Sequence, residues 1–205
     1  VDTQVKGQVT GGKVKILNDN TWLKSVMYYD DKYRVIQTAA DHYHDEVEKT
    51  FTEYDFIGQV LKTQYVHHIN GQKSISITER YRYDHAGRLL KMWHRMDDGE
   101  EVMMVENEYN ELGELVDKKL HYNPELGSFQ QSIDYRYNIR GWLTSINNAG
   151  RTNDGALNDD GNDLFGMQLA YNTDPLSTGA SGMYNGNIAS MAWSNASYGG
   201  RQKAY

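Results

Sequence analysis

The sequence predicts an all-β fold, an antiparallel β-hairpin repeat array in a curved meander sheet, and three observations carry that expectation. A frame of Tyr, Asp or Asn, two free positions, Gly, one free position and an aliphatic residue recurs along the chain. Between copies, apolar and polar residues alternate with period two, the pattern of a strand with one wet face. Composition agrees: 16 Tyr and only 2 Pro in 205 residues suit a pleated surface, on which aromatic side chains pack and proline cannot donate to the ladder.

The complete copies are Tyr54-Asp55-Phe56-Ile57-Gly58-Gln59-Val60, Tyr83-Asp84-His85-Ala86-Gly87-Arg88-Leu89, Tyr109-Asn110-Glu111-Leu112-Gly113-Glu114-Leu115 and Tyr137-Asn138-Ile139-Arg140-Gly141-Trp142-Leu143. A degenerate copy, Tyr29-Asp30-Asp31-Lys32-Tyr33-Arg34-Val35, carries Tyr in place of Gly. The tyrosines step by 25, 29, 26 and 28 residues, which marks a repeat architecture. Asp/Asn-x-x-Gly fits a type I turn followed by Gly in the left-handed region as a bulge residue. The Asp or Asn side chain accepts a backbone N–H inside such a turn, which explains its presence in every copy. The residues assigned a structural role in the repeat are therefore Tyr29, Tyr54, Asp55, Gly58, Tyr83, Asp84, Gly87, Tyr109, Asn110, Gly113, Tyr137, Asn138 and Gly141.

In chain order, residues 1–28 are N-terminal strands leading into the array. Lys13-Val14-Lys15-Ile16 reads as a short strand, Asn18-Asp19-Asn20 as a turn, and Trp22 to Tyr29 as a second strand. Residues 29–149 are the hairpin repeats. Their other ends close at Asn70-Gly71, Asp97-Asp98-Gly99 and Asn123-Pro124-Glu125-Leu126-Gly127, each a reversal signal. Alternating turns imply an up-and-down meander with strands of roughly 8 to 10 residues. Parity places Tyr81 and Tyr83 on one face with Arg82 on the other, treats Tyr135-Arg136-Tyr137 alike, and puts Val60, Leu89, Leu115 and Leu143 on the Tyr side. Residues 150–205 are a loop-rich continuation. Leu164 to Tyr171 returns to strand pattern, Tyr184 to Trp193 reads as a compressed repeat, and Gln202 to Tyr205 as a strand cut before its next turn.

A net charge of −7 and a pI near 5.5 argue against a general nucleic-acid binder, which needs a positive field over its contact surface. No cysteine is present, which removes disulfide scaffolds and Cys-ligated zinc. No apolar run approaches a membrane span, and Val1 shows no signal pattern, as expected of a processed or excised segment.

Candidate sites are few. His42 and His44 share a strand face and His67-His68 follows in the next repeat, but a metal needs three or four converging ligands, so strand-face histidines are expected and no metal or cofactor is assigned. Asp97, Asp98, Glu100 and Glu101 flank Gly99 at a turn and read as solvated rather than as a catalytic carboxylate pair. Asn158-Asp159-Asp160-Gly161 invites a calcium-loop alignment, yet that alignment puts Ala156 and Met167 at ligand positions, where they cannot chelate. Trp93, Trp142 and Trp193 are the candidate ligand-binding residues, with Trp142 expected on the outer face by parity. No nucleophile elbow, Gly-rich phosphate loop or catalytic triad spacing is found, so no enzyme is expected.

The Tyr-Asp-x-x-Gly-Arg-Leu frame resembles the Rhs/YD-repeat family of large bacterial proteins from about residue 7 onward. Asp163-Leu164-Phe165-Gly166-Met167 and Tyr184-Asn185-Gly186-Asn187-Ile188 look like segments of its bacterial members. The family includes toxin-delivering Rhs proteins and the C component of insecticidal toxin complexes, and animal teneurins carry a related domain. The resemblance implies a spiralling β-sheet that closes into a hollow shell around a C-terminal toxin or effector. It also implies a secreted or cell-surface location, with the cargo domain and further repeats of the same parent chain as partners. Family shells contain many more repeats, so a sheet fragment with open edges and possible edge-mediated self-association is expected. The family's autoproteolytic region is not recognisable; Asp174-Pro175-Leu176 shares only its Asp-Pro, and no toxin domain is visible. The rival expectation is an extracellular binding module for carbohydrate or a partner protein.

Overall fold

The computed structural model describes residues 5–17, 19–42, 46–155, 158, 161, 163–173, 179–197 and, for the backbone alone, 199–204. Among these residues there are fourteen strands and no helix. The chain divides into two compact units, 1–104 and 105–205.

The first unit holds β1 (Gly11–Lys15), β2 (Trp22–Tyr29), β3 (Val35–Asp41), β4 (Val47–Tyr54), β5 (Val60–His68), β6 (Ile75–Tyr83) and β7 (Leu89–Met96). β8 (Val102–Tyr109) contains the division. The second unit continues with β9 (Leu115–Asn123), β10 (Ser128–Tyr137), β11 (Leu143–Ile146), β12 (Phe165–Ala170), β13 (Ser190–Asn195) and β14 (Gly199–Ala204). Within each unit, strands pair antiparallel with their chain neighbours, as a hairpin meander requires. From β2 to β11 antiparallel order follows from the short turns, since a parallel partner would need a long crossover, and β11–β12 and β12–β13 keep that order across longer connections.

The register slips by one residue beside each repeat tyrosine. Tyr29 faces Val35, Tyr54 faces Val60, Tyr83 faces Leu89, Tyr109 faces Leu115 and Tyr137 faces Leu143, each next to a bulge. Directly opposed residues point to the same side, so the aliphatic that ends each frame lies on the Tyr side. The extra bulge residue (Leu90 in the third hairpin) absorbs the odd count, and the strand beyond it resumes with Met92 opposite Tyr81.

Little apolar surface is fully enclosed. Among the described residues, Tyr29 is the buried hydrophobic of the first unit, and Ala170, Ala189 and Ala192 are those of the second. The second unit instead encloses polar side chains: Asp117, Asp134, Ser145, Asn147, Asn148, Asn158, Asp163, Ser190 and Ser194 are all buried. Such groups are tolerated only when hydrogen-bonded, and a network joins many of them. Asn147 donates to Asp163 Oδ1 (2.7 Å) and to the Phe165 carbonyl (2.8 Å), and it accepts from the Asp134 N–H (2.7 Å). Asn158 donates to Asp163 as well, and Asn148 to Asp154 (2.8 Å). Arg151 reaches Ser194 Oγ (3.0 Å), which in turn donates to the Ala149 carbonyl (2.6 Å). In the loop-rich continuation, Arg151 thus reaches β13, while Asp163 accepts from Asn147, which itself bonds the backbone of β10 and β12.

Candidate functional site

The repeated turn is the best-defined local structure of the chain. In all five copies the Asx Oδ1 accepts two backbone N–H groups, two and four residues on. Asp55 takes Ile57 and Gln59 (2.9 and 2.8 Å), Asp84 takes Ala86 and Arg88 (both 2.9 Å), and Asn138 takes Arg140 and Trp142 (2.9 and 3.0 Å). Asp30 and Asn110 repeat the pattern. The turn glycines have φ between 74° and 100°, and in the degenerate copy Tyr33 holds φ 61°. The Arg88 backbone N–H, despite some opposing desolvation, and then the Arg88 side chain and Ala86 N–H hold the Asp84 carboxyl below its ordinary value.

The position after Gly, free in the sequence pattern, is not free in the fold. Arg34 Nε donates to Asp30 Oδ2 (2.6 Å) and Arg88 Nε to Asp84 Oδ2 (2.7 Å), whereas Asn110 Nδ2 donates to Glu114 Oε2 (2.8 Å). In these three copies the carboxylate turns bind a cation and the amide turn a carboxylate, each at the oxygen or nitrogen that the backbone leaves over, whereas Asp55 is followed by Gln59 and Asn138 by Trp142.

The same position also reaches the next turn. Arg34 Nη1 donates to the Asp55 carbonyl (2.7 Å). A Cβ added at Gly87 would lie 2.7 Å from Gln59 Nε2, one at Gly141 3.3 Å from Glu114 Oε1, and one at Gly186 3.0 Å from the Trp142 ring. Gly therefore serves two ends, a left-handed backbone and a flat seat for the preceding repeat's side chain. Gly87→Val is expected to cost about 2 kcal/mol, because a β-branched residue is strained at φ 83° and displaces Gln59. Urea denaturation checks this, and unchanged stability would refute the turn assignment.

The last turn reveals an interrupted repeat. Tyr29 and Tyr54 donate their hydroxyls to the Val9 and Val35 carbonyls (2.6 and 3.0 Å). Tyr171 does the same to Leu143 (2.8 Å). Tyr171-Asn172 thus opens a sixth copy whose glycine is Gly186 (φ 93°), with thirteen residues of sequence between Asn172 and Gly186 where the frame has two. Tyr184, expected to start that copy, sits instead exposed at the turn tip, its carbonyl accepting from Arg140 (3.3 Å).

The three tryptophans have separate surroundings, and all are half-buried. Trp93, in the first unit, carries the Arg80 guanidinium 4.0 Å above its ring, and Arg80 forks onto Glu101 (3.1 and 2.6 Å). Trp142, in the second, packs among Arg140 (5.0 Å), Tyr171 (5.1 Å) and Gly186, so its ring is a turn-stacking element. Trp193 faces Met167 across β12 and β13.

His42 and His67 meet around Glu48. His42 Nε2 lies 2.9 Å from Glu48 Oε2 and His67 Nδ1 3.3 Å from Oε1, while His67 Nε2 is 3.2 Å from Glu46. Tyr65 donates to Glu48 Oε1. His44, Asp174, Pro175 and Leu176 lie outside the described residues. These groups bond one another rather than enclose a centre, and among the described residues no three His, Cys, Asp or Glu converge in metal-binding geometry. The Glu48 hydrogen bond, with burial second, pushes the Tyr65 hydroxyl up to about 12. A raised tyrosine value means stability that is intact below pH ~10 and lost as pH climbs towards 12. Tyr81, Tyr83, Tyr135, Tyr137 and Tyr171 are also raised, chiefly by burial, so absorbance titration should be read as a difference: a late-ionising component is missing in Tyr65→Phe and moves back towards 10 in Glu48→Gln, and coincident curves would contradict the pairing.

Asp97 is more than a solvated tip residue: at φ 49° it accepts the Ser76 N–H (2.7 Å) and closes the β6–β7 hairpin end. The Asp97-Asp98-Gly99 reversal was legible in sequence, but the Asp97–Ser76 contact and the His42–Glu48 group were not, because each joins residues far apart in the chain or on different strands.

Fold and turns together define the class: an antiparallel β-hairpin repeat array closed by Asx turns. No protein-family model and no curated protein matches the chain. Among solved structures it is similar to one titled "Crystal Structure of TcdB2-TccC3-Cdc42", at 12% identity and a TM-score of 0.24, over 90% of this chain and 14% of that one.

Proposed function

We infer that this chain is a non-enzymatic wall segment of an Rhs/YD-type shell, whose task is to help enclose a toxin or effector belonging to the same parent polypeptide. The observation that carries this reading is the seating of one repeat's side chain on the next repeat's glycine, as Gln59 does at Gly87 and Glu114 at Gly141. Such seating fixes each hairpin against its neighbour, and a repeat whose stability comes from neighbours extends into a sheet of any length. Export to the outside or to the cell surface fits that role. Protease digestion of the full-length parent protein tests it: the cargo polypeptide should resist cleavage until the shell is opened by denaturant. Cargo that is cut as fast as a free domain would sink the proposal.

A second reading, a binding module for carbohydrate, has Trp93 in its favour, since its ring is half-buried at the sheet surface beside an arginine. Glycan-array screening with Trp93→Ala as the control decides it, and a hit retained by that variant counts against Trp93.

A further inference from the structure

The strand register sorts the charges of the first unit by face. Lys13 faces Lys24, Ala39 faces both Val26 and Lys49, and Glu53 faces Lys62. Further along, Lys62 faces Arg80, Arg82 faces Lys91, and Thr78 faces Arg95. Opposed residues share a side and alternate residues return to it, so these pairs, with Lys15, all lie on the side away from the repeat tyrosines. Every Lys and Arg within β1–β7, nine in all, falls on that one face, against two acids there, Asp41 and Glu53. The Tyr side of the same strands has no Lys or Arg and carries Glu48 and Glu79. Seven of the nine basic residues are exposed; Lys62 and Lys91 are half-buried.

A chain of net charge −7 thus presents a basic sheet face some seven strands, or about 29 Å, wide at ordinary strand spacing. A sheet can satisfy its own needs with any polar residue on a wet face, so segregation this complete calls for a partner of opposite sign. The anion already held there is a carboxylate: Glu101, gripped by both Nε and Nη2 of Arg80. We propose that this face docks an acidic polypeptide, a segment rich in Asp and Glu lying across β1–β7. The inference rests on strand register and not on the shell reading, and each can fail without the other.

Fluorescence anisotropy of a labelled oligo-glutamate peptide with the full chain provides the test. Binding should weaken about tenfold as NaCl rises from about 50 to about 300 mM, as screening of exposed charges dictates. The reversal variant Lys49→Glu/Lys62→Glu/Arg82→Glu should lose about tenfold or more. Neutral Lys49→Gln/Lys62→Gln/Arg82→Gln should lose less, with unfolding transitions unchanged. Failure of the peptide to bind at low salt would overturn the proposal, as would equal binding by well-folded reversal and parent proteins. Tighter binding of a single-stranded oligonucleotide or of phosphatidylserine vesicles than of the peptide would overturn it too.

Discussion

Gly166→Ala is expected to destabilise the second unit by about 3 kcal/mol or more, the range of a severe overpacking substitution. Gly166 lies in β12 beside the backbone of Asn148, and an added Cβ would stand 1.8 Å from the Asn148 carbonyl oxygen and 2.8 Å from its carbon. No rotamer relieves that overlap, because a methyl has none and the obstacle is main chain. Nor can the obstacle move cheaply. Asn147 and Arg151, on either side of it, hold φ of 47° and 54°, and the Arg151 N–H donates to the same Asn148 oxygen at 3.0 Å. Urea denaturation gives the number, and a loss under about 1 kcal/mol would mean that β12 and the 147–151 turn are not packed as described.

Asn147→Ala should cost about 3 kcal/mol, since one amide is buried and makes three hydrogen bonds to β10, β12 and Asp163. Alanine also tolerates the left-handed backbone less well than asparagine. Asn147→Asp is expected to be at least as harmful, because it exchanges the donor facing Asp163 Oδ1 for a second carboxylate. A milder effect of Asp than of Ala would show that hydrogen-bond donation is not what Asn147 contributes.

Much of the fold was legible because the repeat writes its geometry in residue types. Tyr54, Asp55 and Gly58 name a strand end, a turn-former and a left-handed position, and the structure places each so. β2 begins at Trp22 and ends at Tyr29, as the alternation of its residues predicts. What stayed hidden depends on neighbours. Gln59 and Glu114 occupy a position without a type preference, since a long side chain of any chemistry can cover a glycine. Asn110 with Glu114 and Asp84 with Arg88 pair across their turns, contacts visible only once the turn brings them together. Tyr171 escaped because the insertion after Asn172 separates it from Gly186 and erases the spacing. The basic face escaped for a different reason: the bulge beside each repeat tyrosine resets parity, so Arg82 and Lys91 can be placed on one side only when the register is known.

The most direct test of the wall account is a cryo-EM reconstruction of the complete parent polypeptide. It should show β1–β7 and β9–β14 each built, with further hairpins, into the wall of a closed hollow body with density enclosed within. A reconstruction in which these strands form a free-standing module, bonded to no further repeats and enclosing nothing, would contradict it.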